Sequence, residues 1–277
     1  MTGADPLREF AYSKRDFERA RELIRQRAGI ALTSCKEDMV YGRLARRVRQ
    51  HGLGSIGEYL DFLEGSDGAE WQDFTNALTT NLTAFFREPH HFDTLRELFA
   101  RLRRQGPLRL WCAAASTGEE PYSMAMTAVE YFGGYDAPVS ILATDIDTQV
   151  LATARRGVYA MQRVEKLERE RLRRFFQRGT GANEGQCRVT EGLRRMVEFQ
   201  PLNLLAPQWA LRGPFDAVFC RNVMIYFDKP TQYRILSRIM PLLAQDGLFF
   251  AGHSESFFHA AELLHSRGRT VYSHPVK

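Results

Sequence analysis

The sequence predicts an α/β protein in two parts, a helical N-terminal domain followed by a doubly wound sheet. Three observations lead there. Apolar residues recur at helical spacing through the first hundred positions. After a basic stretch at 101–110 that includes Gly106 and Pro107, short β-rich runs alternate with helical ones. The segment RLWCAAASTGEEPYS at 109–123 passes from an apolar strand through a small-residue loop into a helix. At 277 residues the chain has room for two units, expected at 1–100 and 101–277.

In the first domain, Phe17, Ala20, Ile24 and Ala28 share one helical face, as do Val40, Leu44 and Val48, and the pattern continues from Trp71 to Asn81. Arg43, Arg46 and Arg49 line another face of the second helix, either as a solvated stripe or as a docking strip for an acidic helix. In the second domain, strands are expected at 109–113, 140–144, 197–200, 216–220 and 247–251, with an added antiparallel strand at 269–273. The glycine-containing region RGTGANEGQCRVTEGLRRMV at 178–197 breaks the alternation. It reads as part of a small inserted antiparallel β lobe at about 160–197.

Composition narrows the function classes. Hydrophobic residues make up 44% and charged residues 26%, as in soluble globular proteins, and no apolar run has the roughly 18 residues a membrane span needs. The N-terminus is charged and lacks a signal-peptide core, so a cytoplasmic location is expected. Cys35, Cys112, Cys187 and Cys220 have no ligand or disulfide spacing, and the adjacent His90 and His91 lack the i, i+4 spacing of helical metal ligands, so no metal is expected. The net charge of +5 points to an acidic partner without choosing among nucleic acid, lipid and protein.

The strand-to-helix loop carries Glu119 and Glu120 where the backbone N–H groups and helix dipole of such loops usually face phosphate. A ligand bearing positive charge fits them better than a dinucleotide. Ser116 and Thr117 are candidate caps for the helix, Gly118 allows a tight turn, and Pro121 suits the first helical position. The second strand ends in Asp145, placed to bond ribose hydroxyls, while Asp147 is better placed to cap the following helix. Asn203 and Leu204, then Arg221 and Asn222, follow later strands, at the sheet end where ligands bind. Upstream, Asn81, Thr83 and Arg87 lie among Phe85, Phe86 and Phe92, which read most simply as core.

Together NLTAFFRE at 81–88, STGEEPYS at 116–123, ATDID at 143–147, CRNVMIYF at 220–227 and AGHSES at 251–256 resemble the CheR family of chemotaxis receptor methyltransferases, over nearly the whole chain. The resemblance implies a class I S-adenosylmethionine-dependent methyltransferase-like sheet and methyl transfer to receptor glutamates, with S-adenosylhomocysteine as product. It implies cofactor contacts from Asn81, Thr83, Arg87, Glu120, Asp145, Asn203, Leu204, Arg221 and Asn222, with Glu119 close behind Glu120, and places Arg87 and Tyr226 near the transferred methyl. Arg43, Arg46 and Arg49 would dock the receptor's cytoplasmic domain, and the lobe would grip a tethering peptide at the receptor C-terminus. A monomer that neither binds nucleic acid nor inserts into membrane is expected. The alternatives are a nucleic-acid methyltransferase, for which no aromatic stacking groups beside a basic groove are evident, and a catalytically silent adaptor.

Overall fold

The computed structural model describes residues 8–102 and 106–275. Residues 103–105, within the stretch where the sequence suggests a domain boundary, lie outside the described residues, as do the first seven of the N-terminus read for a leader. The chain divides into two compact units. One comprises residues up to Thr80 together with Asn203–Leu205 and Tyr226–Asp228, and the other holds the remainder.

The first unit contains helices α1 (Lys14–Ala28), α2 (Glu37–His51), α3 (Ile56–Gly65) and α4 (Gly68–Leu78). Helix α1 starts with a capping box in which the Ser13 side chain accepts from Asp16 N–H while Asp16 accepts from Ser13 N–H, so two orphan donors of the first turn are satisfied at once. The stripes expected from periodicity, Phe17, Ala20, Ile24 and Ala28 on α1 and Val40, Leu44 and Val48 on α2, are buried. So is Arg47, which sits on α2 between the strip arginines and is bonded through Nε to Glu70 Oε1 at 3.0 Å. Tyr59 donates to the same Glu70 oxygen at 2.7 Å, so this unit has a hydrogen-bonded ion pair inside its apolar core.

The second unit runs through α5 (His90–Leu102), β1 (Leu108–Cys112), α6 (Glu119–Phe132), β2 (Val139–Asp145), α7 (Thr148–Arg156), β3 (Val158–Ala160), α8 (Arg169–Phe175), β4 (Phe176–Arg178), β5 (Gln186–Val189), α9 (Glu191–Arg195), β6 (Val197–Pro201), β7 (Phe215–Phe219), α10 (Lys229–Ile239), β8 (Leu243–Phe250), β9 (His265–Gly268) and β10 (Val271–Ser273). The large sheet has the order β6-β2-β1-β7-β8-β10-β9. Its first five strands are parallel, while β10 runs antiparallel to both β8 and β9. Strand order reverses between β1 and β7, so the crevice beyond their carboxyl ends is the topological switch point where ligands of such sheets bind. The lobe is a second, antiparallel sheet of order β3-β5-β4.

Two local expectations change, and one strand has no counterpart among them. Residues 81–100 group with the sheet rather than the helical domain, because Phe92, Leu95, Leu98, Phe99 and Leu102 of α5 are buried in the sheet's core cluster. A helical period cannot reveal which core it packs into. Ser116 and Thr117 do not cap α6: Gly118 holds the cap position at φ 98°, the Thr117 hydroxyl turns to Glu119, and Pro121 falls in the third helical position. A Cβ at Gly118 would stand 2.8 Å from Ala154 Cβ and 2.9 Å from the Tyr159 hydroxyl, so both the backbone and the packing require glycine. Strand β9, wholly exposed and polar, has no alternation that sequence could have registered.

Candidate active site

At the carboxyl ends of β1 and β2, four polar side chains interlock. Asp145 Oδ2 accepts from Ser116 N–H at 2.8 Å and Oδ1 from Asp147 N–H at 2.9 Å. Asp147 caps α7 by accepting from Gln149 and Val150 N–H, as its position predicts, and its other oxygen accepts from Asn81 Nδ2 at 2.8 Å. The Ser116 hydroxyl donates to Asn81 O, which fastens the 81–88 segment to the β1–α6 loop. Asp145 is buried, and among the described residues no cation is bonded to it. Burial raises its pKa from 3.8 to about 6, against three backbone N–H bonds, from Asp147, Ser116 and Ile146, which favour the carboxylate.

Toward β7 lies a buried arginine. The Arg221 guanidinium donates to Glu120 Oε2 at 2.5 Å and to Arg87 O at 2.5 Å, and stands 3.3 Å from Glu88 Oε2. Its Nε is buried with no hydrogen-bond partner among the described residues. The other Glu120 oxygen accepts from the Cys112 thiol at 3.3 Å, and burial of Glu120 raises its pKa despite Arg221. Burial also disfavours the charge on Glu88, but Arg221 and hydrogen bonds from His253 outweigh it and hold Glu88 down at about 2. Glu119 faces elsewhere, accepting from the Thr117 hydroxyl at 2.6 Å and from Arg163 Nε at 3.1 Å. The acidic loop that reads as open negative charge is thus offset internally, because arginines distant in sequence, Arg163 and Arg221, fold back onto it.

The 81–88 segment reaches this arrangement by two residues with positive φ, Phe86 at 51° and Glu88 at 56°. Phe85 packs edge-on against Tyr159 and Phe176, and Phe86 N–H donates to Ser123, so the phenylalanines are core and orient their polar neighbours. Arg87 is half-buried, with Nη1 bonded to Leu82 O at 3.1 Å, and Thr83 O accepts from Arg163. Asn222 follows β7 at φ 58°.

The structure therefore brings Asn81, Arg87, Glu120, Asp145, Arg221 and Asn222 to the switch-point end of the second unit, with Thr83 on the same segment as Asn81 and Arg87. Asn203, Leu204 and Tyr226 belong to the first unit. There Asn203 Nδ2 donates to Arg27 O at 2.8 Å, Leu204 is buried, and Tyr226 O accepts from Ala31 N–H. Of the arginine strip, Arg43 donates to Ala77 O at 3.2 Å, Arg49 is paired with Glu9, and Arg46 is exposed without a polar partner among the described residues. Sequence spacing gave no warning of Glu88, whose carboxylate lies with His90 and His91 so that ligand atoms of all three fall within 4.8 Å of one another. Arg221 and the positive N-terminal end of α5 both oppose a cation there. Cys112, Cys187 and Cys220 are buried free thiols and Cys35 is exposed. Among the described residues no helix is long and apolar enough to cross a membrane.

Comparison with known proteins gives the same division. The family described as CheR methyltransferase, SAM binding domain, matches residues 81–273, and CheR methyltransferase, all-alpha domain, matches residues 15–79. The chain is 56% identical to Chemotaxis protein methyltransferase 2 of Pseudomonas aeruginosa over 96% of this chain and 95% of that protein. It is 54% identical to the Chemotaxis protein methyltransferase of Escherichia coli over 95% of this chain and 92% of that one.

Proposed function

Since the chain belongs to the CheR methyltransferase family, with both of its domains matched in order, we propose that it methylates glutamate side chains on the cytoplasmic domain of chemotaxis receptors. The carrying observation is the strand-end cluster of Asp145, Glu120 and Arg221. Its donor set suits S-adenosylmethionine. Asp145 has acceptor capacity left for a ribose hydroxyl after its three backbone bonds, and Arg221 Nε, without a hydrogen-bond partner among the described residues, is a donor suited to a ligand carboxylate. When bound, the cofactor supplies a methyl group activated by an adjacent sulfonium and leaves as S-adenosylhomocysteine.

In this reading Asn81, Thr83, Arg87, Glu120, Asp145, Arg221 and Asn222, all of the sheet unit, hold the cofactor. The accepting glutamate, with an ordinary pKa of about 4.3, is already ionised at neutral pH, so the chain need supply no general base. Arg87 orients it. The bond from Arg87 to Leu82 O restrains the guanidinium, which limits a tight ion pair that would stabilise the ground state and slow attack. Arg43, Arg46 and Arg49 dock the acidic receptor helix, the β lobe binds a C-terminal receptor tether, and the enzyme acts as a cytoplasmic monomer.

Transfer of labelled methyl from S-adenosylmethionine to receptor-containing membranes tests this directly. The label should be base-labile, as a glutamyl methyl ester is, and Arg87→Ala should lower turnover at saturating receptor by at least about tenfold while the affinity for S-adenosylhomocysteine falls less. Base-stable label, or full turnover by Arg87→Ala, would refute the reaction or the role respectively.

A further inference from the structure

We propose that Glu255 is a positioning residue for the cofactor site, acting through the left-handed turn at Asn222. The residue lies in the AGHSES segment after β8 and is 5% exposed. Its Oε2 accepts from Gly252 N–H at 2.5 Å and Asn222 N–H at 3.1 Å, its Oε1 accepts from Met224 N–H at 2.8 Å, and Ile225 N–H also bonds to the carboxylate. One buried carboxylate thus gathers four backbone donors from the ends of two neighbouring parallel strands, β7 and β8.

Geometry connects this nest to the site. Asn222 has φ 58°, a conformation costly for a non-glycine residue unless the surroundings hold it. The Glu255 bond to Asn222 N–H fixes one side of that peptide, and Gly252 closes the other. A Cβ on Gly252 would meet Asn222 Nδ2 at 2.3 Å and Asn222 N at 2.8 Å, so the glycine permits its backbone to lie flat against Asn222. Desolvation raises the Glu255 pKa while the four amides lower it, so the nest offers the compensation a buried carboxylate needs. A glutamine in its place presents an amide N–H₂ toward backbone N–H groups and cannot serve all four. The segment after β8 thereby sets the direction of a side chain that follows β7.

This inference rests on Asn222 belonging to the cofactor site, and the test separates the two. Titration calorimetry of the full chain with S-adenosylhomocysteine should show Glu255→Gln and Asn222→Ala each weakening binding by at least about tenfold. The double variant should be no more than about threefold weaker than Asn222→Ala alone, since both changes remove one interaction. Steady-state assays of Glu255→Gln should show a raised KM for S-adenosylmethionine with kcat at saturation within about threefold, a split that general loosening of the fold would not produce. Multiplicative losses in the double variant, or Glu255→Gln binding within threefold of the unmodified protein, overturn the inference while leaving the cofactor assignment intact. Unchanged binding by Asn222→Ala overturns both. Should Glu255→Gln fail to fold, Gly252→Ala replaces it, disturbing Asn222 while leaving the carboxylate in place. The same loss, again not multiplied by Asn222→Ala, supports the proposal, and binding like the unmodified protein refutes it.

Discussion

Two arginine–carboxylate regions of this chain differ mainly in their access to water. At the strand ends of the sheet unit, the Arg221 and Glu120 side chains are 1% and 11% exposed, and each also bonds to other buried groups. In the helical unit, Arg49 of α2 and Glu9, which precedes α1, are 58% and 54% exposed. Solvent screens the second pair, so the geometry there contributes little to the fold. In the first, neither partner can be removed without leaving charge stranded in a low-dielectric interior. Buried charges should therefore govern stability and cofactor affinity, and exposed ones the rate of encounter with an acidic partner.

Arg221→Met should show the largest effect. It strands Glu88 and Glu120 together, and breaking a buried pair from one side costs about 3 to 5 kcal/mol. Glu120, whose pKa burial already raises, relieves part of this by taking up a proton. Urea unfolding at pH 7.5 should register a loss of about 3 kcal/mol, and that loss should shrink in acid as the stranded carboxylates protonate. A loss below about 1 kcal/mol would place this pair in the same class as the exposed ones.

Asp145 sharpens the contrast, because it is buried without a cationic partner among the described residues. Its folded pKa, about 6, lies above the ordinary 3.8, so the folded state holds this proton more tightly than the unfolded one. The resulting stability is full below the unfolded value and is lost as pH rises through the folded one, by about 2 kcal/mol between pH 4 and 7. Asp145→Asn should remove that pH-dependent component in unfolding measured without ligand. Cofactor affinity should run the other way: S-adenosylhomocysteine binding to the unmodified protein weakens below pH 6, as protonated Asp145 loses acceptor capacity, and is weak and pH-independent in Asp145→Asn. Parallel trends in stability and affinity would separate Asp145 from the cofactor.

How much of this was legible in sequence depended on the range of the interaction. Periodicity located the faces of α1 and α2, and the parallel strands could be read as short apolar runs, because those signals are local. Asp147 is recognisable as a cap for the same reason. The charge state of the acidic loop was not legible, since it depends on Arg163 and Arg221, 44 and 101 residues away. Helix α5 looked like its neighbours in sequence yet packs with the sheet, and Glu88 and Glu255 act through positive-φ turns that no spacing rule signals. Arg47 carries no mark in the sequence that separates it from the strip arginines; only its buried contact with Glu70 distinguishes it.

The smallest expected effect concerns two arginines on a single helix. Arg46 is exposed without a polar partner among the described residues, whereas Glu9 already neutralises Arg49. If the face docks an acidic receptor helix, Arg46→Glu should slow receptor methylation severalfold at low ionic strength, and the effect should fade as salt rises and the Debye length drops below about 8 Å. Arg49→Glu should slow it less, because the native charge there is offset by Glu9 before any partner arrives. Neither change should move the melting temperature or S-adenosylhomocysteine affinity, since neither side chain supports buried structure. Equal, salt-independent rates for both variants and the unmodified protein would remove the strip from receptor docking and leave it a solvated face of α2.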